Sequence, residues 1–169
     1  YRKPKLAISS KQCNGGAVHP VDGGYFFNSY EQGQVFKWEG YSSTNPSGGT
    51  TQLRINELFK IKDTSWEFNI QFHPSGDYAY IVVINQHYIL KSNYNYTTQT
   101  LEVPTLFAGS QGQSGYKDGV ATGARFRKPY QGAFDEDGNF YVCDNENHFI
   151  RKITPEGIVS TFAGRAEHA

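Results

Sequence analysis

The chain has 169 residues, with 16 basic and 16 acidic side chains, 37% hydrophobic residues and 18 glycines. That length suffices for one domain with a sizeable core. Zero net charge supplies no long-range field that would favour nucleic acid or an anionic membrane. No run reaches the roughly 20 apolar residues of a membrane-spanning helix. The two cysteines, Cys13 and Cys143, make no disulfide framework; Cys143 lies inside an apolar strand and is expected to be a buried free thiol. Methionine is absent even at position 1, which reads as an excised or processed piece.

In chain order, residues 1–12 are expected to supply an outer strand of a preceding unit, with Leu6 and Ile8 pointing inward. The sequence then repeats itself three times. The stretch "DGGYFFNSYEQGQVFKW" from Asp22 lies without a gap under "DGNFYVCDNENHFIRKI" from Asp137, and "SGDYAYIVVINQHYILKS" from Ser75 fits with one inserted residue. A short apolar piece precedes each turn: "GAVHP", "IQFHP" and "GAFDE". The turns carry Gly23, Gly76 and Gly138 where φ must be positive, as tight hairpins require. The runs after them, "YFFN", "YAYIVVI" and "FYVC", are continuously apolar, the pattern of strands covered on both faces. A third strand follows in "QVFKW", "HYILK" and "HFIRKI". A fourth spans Leu53 to Ile61, Leu101 to Gly109 and Ile158 to Gly164. Helical periodicity is marginal at Asn56 to Lys60 and nowhere strong.

Repeating four-stranded antiparallel units with sandwiched middle strands predict an all-β fold: a β-propeller fragment of about three blades. The expected units are 13–62, 63–109 and 110–164, the last including a long connection, with 165–169 opening the next connection. A β-sandwich would show alternating polar faces on its outer strands, which these lack.

The third unit, Ala124 to Gly164, resembles an NHL repeat. The residues that carry the likeness are Pro129, Gly132, Asp137-Gly138-Asn139, Tyr141-Val142, Asp144, Asn147-His148, Ile150 to Ile153, Gly157 and Phe162-Ala163-Gly164. In the other units Asp144 is replaced by Ser29 and by Val82 or Val83. The flanking "FAGSQGQSGYKDGVATGARF" is similar to the inter-repeat connection of bacterial envelope proteins that join an IPT/TIG domain to NHL repeats. The resemblance implies a six-bladed ring and an extracytoplasmic location, at the bacterial surface or in the periplasm. Three blades leave such a ring open, so a homodimer of two arcs is a candidate partner arrangement.

Strand parity gathers Ser29 to Gly33, Asn85-Gln86, Asp144 to Asn147 and the connection Ser110 to Arg127 at one end. Long polar loops carry function more often than tight turns, so this end is the candidate ligand face. Tyr116, Asp118, Arg125, Asn145 and Asn147 are its candidate binding residues, with Asp118 and Arg125 expected to order the loop as an ion pair. Gly109, Gly112 and Gly115 lack the Lys-Ser/Thr and helix of a phosphate loop. His19 and His73 occupy one repeat position and His87 and His148 another, which separates them between blades. "FDEDG" is explained by its hairpin. No catalytic residue, metal ligand or cofactor is expected. The function read from the sequence is a non-enzymatic scaffold for a glycan or protein ligand, with no nucleic acid and no membrane span. The alternative is a propeller enzyme, a lyase or hydrolase, with a metal on the axis.

Overall fold

The computed structural model describes residues 13–29, 32–43, 51–61 and 67–165. The expected outer strand at 1–12 and most of the segment 165–169 lie outside the described residues. The described chain forms three antiparallel sheets and carries no helix longer than a single 3-10 turn.

The first sheet contains β1 (Cys13–Val18), β2 (Tyr25–Ser29), β3 (Gln34–Ser43) and β4 (Thr51–Lys60), in that order. The second runs β5 (Phe68–Phe72), β6 (Tyr78–Val83) and β7 (Tyr88–Asn95), whose far side pairs with β8 (Thr100–Leu101) and β9 (Thr105–Gly109). The third is ordered β10 (Gly119–Val120), β14 (Ile158–Gly164), β13 (Phe149–Ile153), β12 (Phe140–Asp144) and β11 (Pro129–Phe134). Each sheet is a blade whose strands follow one another outward.

Packing explains the continuous apolar run in β6. Ala79, Ile81 and Val83 enter a core shared with Phe26, Val35 and Phe59 of the first blade. Tyr80 and Val82 enter a second core with Phe140, Val142, Ile153 and Val159 of the third. Successive side chains point to opposite faces of a strand, and a blade between two others buries both. Burying each large apolar side chain contributes roughly 1.5–3 kcal/mol before ordering losses.

The outer blades bury one face. In β12, Phe140, Val142 and Asp144 turn toward the second blade, while Tyr141 is half-buried. Cys143 is a free, exposed thiol, not a buried one. Period-2 alternation puts it on the face opposite the second blade, where among the described residues no further sheet packs.

The marginal helical stretch 56–60 is strand β4, because pairing with β3 leaves Phe59 in the core. The fourth strand of the second blade is split: β8 and β9 flank Pro104, which has no amide proton to give a ladder. The long connection is not wholly loop either. It contributes β10 to the outer edge of the third blade.

The repeats coincide in backbone conformation. Gly33, His87 and His148 adopt left-handed φ of 64°, 64° and 59° after the second strand of each blade. His87 and His148 each close a 3-10 turn, Ile84–Gln86 and Asn145–Asn147. This superposition makes Val83 the counterpart of Asp144, and Leu90 the counterpart of Arg151.

Adjacent blades are also joined by polar contacts. His19 is buried, stacks on Tyr94 with ring centres 3.8 Å apart, and places Nε2 2.9 Å from the Gly76 carbonyl of the next blade's turn. Asn28 donates to Phe68 O at 2.8 Å, and Asn69 donates to Tyr130 O at 2.8 Å.

Candidate functional site

The connection from Ser110 to Arg127 forms a strap whose two limbs lie over one end of the second and third blades, while its middle runs down the edge of β14, pairing Gly119 and Val120 with Val159 and Ile158 and giving the Ala121 amide to Gly157 O. It is tied to the second blade by the Gly112 amide on Gln86 O at 2.9 Å, and just beyond it the Lys128 amide donates to His87 Nδ1 at 3.0 Å. Residues 115–117 run antiparallel to 125–126, with Lys117 and Arg125 bridged and Gly115 N donating to Phe126 O. Phe126 is fully buried and anchors the strap from beneath.

Arg151 on β13 fastens this strap. Its side chain is wholly buried beside the equally buried Asp144. One terminal nitrogen donates to Asp144 at 2.7 Å and to Arg125 O at 2.9 Å; the other donates to Asp118 at 2.7 Å and to Lys117 O at 2.9 Å. The guanidinium lies 5.1 Å and 5.2 Å from the ring centres of Tyr116 and Phe126. Asp144 also accepts the Arg127 amide at 2.6 Å and the Asn147 side-chain amide at 2.7 Å. A buried charge is tolerable only when paired; here both terminal nitrogens are engaged, while Arg151 Nε is buried without a partner.

The candidate residues fall into this arrangement as follows. Tyr116 is exposed, stacks on Phe149 at 4.7 Å, and shares a hydrogen bond with Thr161 Oγ1 at 3.0 Å. Asp118 accepts from Arg151 and from the amide and hydroxyl of Thr161, both at 3.0 Å. Partial burial pushes the Asp118 carboxyl upward, but Thr161 and Arg151 outweigh it and hold the group below the usual aspartate range. Asn147 donates to Gly115 O at 2.8 Å as well as to Asp144. Asn145 is exposed and engages through its backbone, giving its amide to Lys128 O at 3.2 Å.

Arg125 corrects the expected ion pair. Its guanidinium bonds the Thr122 and Ala124 carbonyls at 2.6 and 2.7 Å, while Asp118 belongs to Arg151. Sequence reasoning missed Arg151 as the hub. A signal was present: a basic residue stands where the other two repeats place Leu90 and Phe36, so its charge had to be matched inside the fold.

Among the described residues, the opposite end carries tight turns closed by their own side chains. Asp135 accepts the Asp137 and Asn139 amides at 3.0 and 2.8 Å and the Tyr141 hydroxyl at 3.1 Å. Asp22 accepts the Gly24 amide and the Tyr94 hydroxyl. Burial pushes Asp22 up, yet Tyr94, Gly24 and His19 together hold it below the usual range. Among the described residues no three His, Cys, Asp or Glu side chains are grouped to hold a metal ion.

The stacked blades and the strap between them define a β-propeller arc, and residues 133–153 match the NHL repeat family model. Three solved structures extend the comparison. An auxiliary nutrient binding protein from Bacteroides thetaiotaomicron VPI-5482 is 45% identical over 91% of this chain, with a TM-score of 0.79. A second protein from that organism, described as a candidate phosphatase, is 43% identical over 91%, with a TM-score of 0.78. An auxiliary nutrient binding protein from Bacteroides ovatus ATCC 8483 is 34% identical over 90%, with a TM-score of 0.76. The chain spans 36% of the length of each. No curated protein matches it.

Proposed function

We propose that the chain is part of a non-enzymatic nutrient-binding scaffold, and that its strap end recognises a glycan. The observation that carries this is the 45% identity, over 91% of the chain, to a protein named as an auxiliary nutrient binding protein, together with a second such neighbour. The geometry supports the same end. A strap fixed by a buried Arg-Asp pair presents polar side chains with little ordering left to do on binding, and such preorganisation favours affinity. Asn145 and the rim of Tyr116 are the ligand-facing groups in this reading, while Asp118, Arg125 and Asn147 hold the strap in shape. An extracytoplasmic location, an accompanying IPT/TIG domain and a protein ligand in place of a glycan belong to the same proposal. So does pairing of two arcs, which would cover the exposed Tyr25 of the first blade and Ile150 and Phe162 of the third.

Titration calorimetry with a panel of oligosaccharides tests the reading. Saturable binding that weakens at least tenfold in Asn145→Ala combined with Tyr116→Ala supports it, and the absence of heat with every sugar counts against it. Sedimentation velocity reports the pairing separately. A hydrolase is the second reading, favoured by the 43% identical candidate phosphatase. Release of p-nitrophenol from its phosphate ester, with and without added divalent cations, decides that question.

A further inference from the structure

We propose that the strap end takes an oxyanion, the carboxylate or sulfate of an acidic polysaccharide. This rests on the reading of that end as the binding face and narrows the class of ligand.

The chain is neutral as a whole, but the strap itself is basic. Between residues 110 and 128 stand Lys117, Arg125, Arg127 and Lys128 against the single acid Asp118. The turns of the other end carry Asp22, Asp77, Asp135, Glu136, Asp137 and Glu156. A locally basic strap draws an anionic ligand even on a molecule with no net charge.

Local geometry sharpens the case. Lys117 and Arg125 face each other across an antiparallel bridge, with backbone bonds of 3.3 and 2.9 Å. Residues opposed in this way have Cβ atoms roughly 5 Å apart, which sets two cationic side chains side by side. Of the acids at this end, Glu67 lies in the field of Lys128 and the others are held by other partners. Asp118 and Asp144 are held by Arg151, and Glu146 pairs with Lys128 at 2.6 Å. Arg127 and His87 add to the field on Glu146, whose carboxyl Lys128 chiefly holds below its usual range. Arg125 is oriented by two carbonyl oxygens, which fix its guanidinium without neutralising it. Lys117 and Arg127 are exposed, and among the described residues neither has a carboxylate partner. Lys117 and Arg127, exposed and without a directly bonded carboxylate, flank the fixed guanidinium of Arg125 on a rigid strap and form a receptor for an anion. The planar guanidinium suits the two-oxygen edge of a carboxylate or sulfate.

The test is affinity electrophoresis of the purified protein through native gels containing homogalacturonan, chondroitin sulfate or dextran. Expected is retardation by the uronate or the sulfated polymer but not by dextran, weakening steeply with added salt. Lys117→Glu with Arg127→Glu should abolish it, with an unchanged thermal melt. Lys152→Gln, on the outer face of the third blade, should retain it. Retardation by dextran equal to that by the acidic polymers, or retention by the charge-reversed variant, overturns the oxyanion while leaving sugar binding in place. No retardation in any gel, with calorimetry also silent for every sugar, overturns the binding-face reading and this inference with it.

Discussion

The buried pair Asp144–Arg151 offers the sharpest test of how the third blade is held. Asp144→Val leaves a guanidinium with no side-chain exposure, two carbonyl acceptors and a single carboxylate, that of Asp118, which is 47% exposed. Arg151→Leu leaves a buried carboxylate instead. Removing one partner of a buried pair costs about 3–5 kcal/mol. The second blade has already made the double change, with Val83 and Leu90 at the same positions. The double variant Asp144→Val, Arg151→Leu is therefore expected to lose only about 2 kcal/mol, since the freed Arg127 amide and strap carbonyls sit at a rim where water can reach. For a chain of this size, 1 kcal/mol moves Tm by about 2–4 °C. Each single change should lower Tm by about 6–20 °C, and the double by less than either. Circular dichroism melts of the four proteins complete the cycle. Singles within about 2 °C of the parent, or a double equal to the sum of the singles, would refute the reasoning.

Three further outcomes follow from the same structure. Gly132→Ala drives a methyl group to 2.6 Å from the Phe140 ring and onto the Tyr141 carbonyl, so urea unfolding should show a loss of about 2–3 kcal/mol. Asp22 and Asp118 both have folded-state pKa values held below their unfolded values. Their contribution is complete above the ordinary aspartate pKa of about 4 and disappears as pH falls through the lower folded values. The urea midpoint should therefore fall mildly as pH drops through 6.5, where the unfolded chain protonates His73 and His87 whose burial holds their folded pKa values low, and fall further below pH 4; the drop below pH 4 should be shallower in Asp118→Asn, and identical acid slopes would contradict this. Cys143 is exposed, and dithionitrobenzoate should label it in the native protein at the rate of an unstructured thiol. Labelling slowed a hundredfold would mean that its face is covered in solution.

Blade architecture was legible because it depends on patterns a single chain displays. The Asp-Gly turns, the doubly apolar run of β6 and the 115-residue register all reduce to backbone conformation and period-2 burial. What the sequence hid was pairing across distance. Asp118 has Arg125 seven residues away and Arg151 thirty-three away, and local proximity favoured the wrong partner. The apolar run "FYVC" implies burial of Cys143 only if both faces are covered, and coverage depends on which blades stand alongside. Pro104 in the fourth strand of the second blade was readable from the missing amide proton. The short strand β10 was not, since two residues carry no periodicity.

Hydrogen exchange with and without a bound acidic oligosaccharide tests most directly the claim that the strap end is the binding face. Protection should appear in residues 112–128 and 144–148 and be absent from the turns around Asp22, Asp77 and Asp137. Protection confined to those turns, with the strap exchanging as before, would contradict the account.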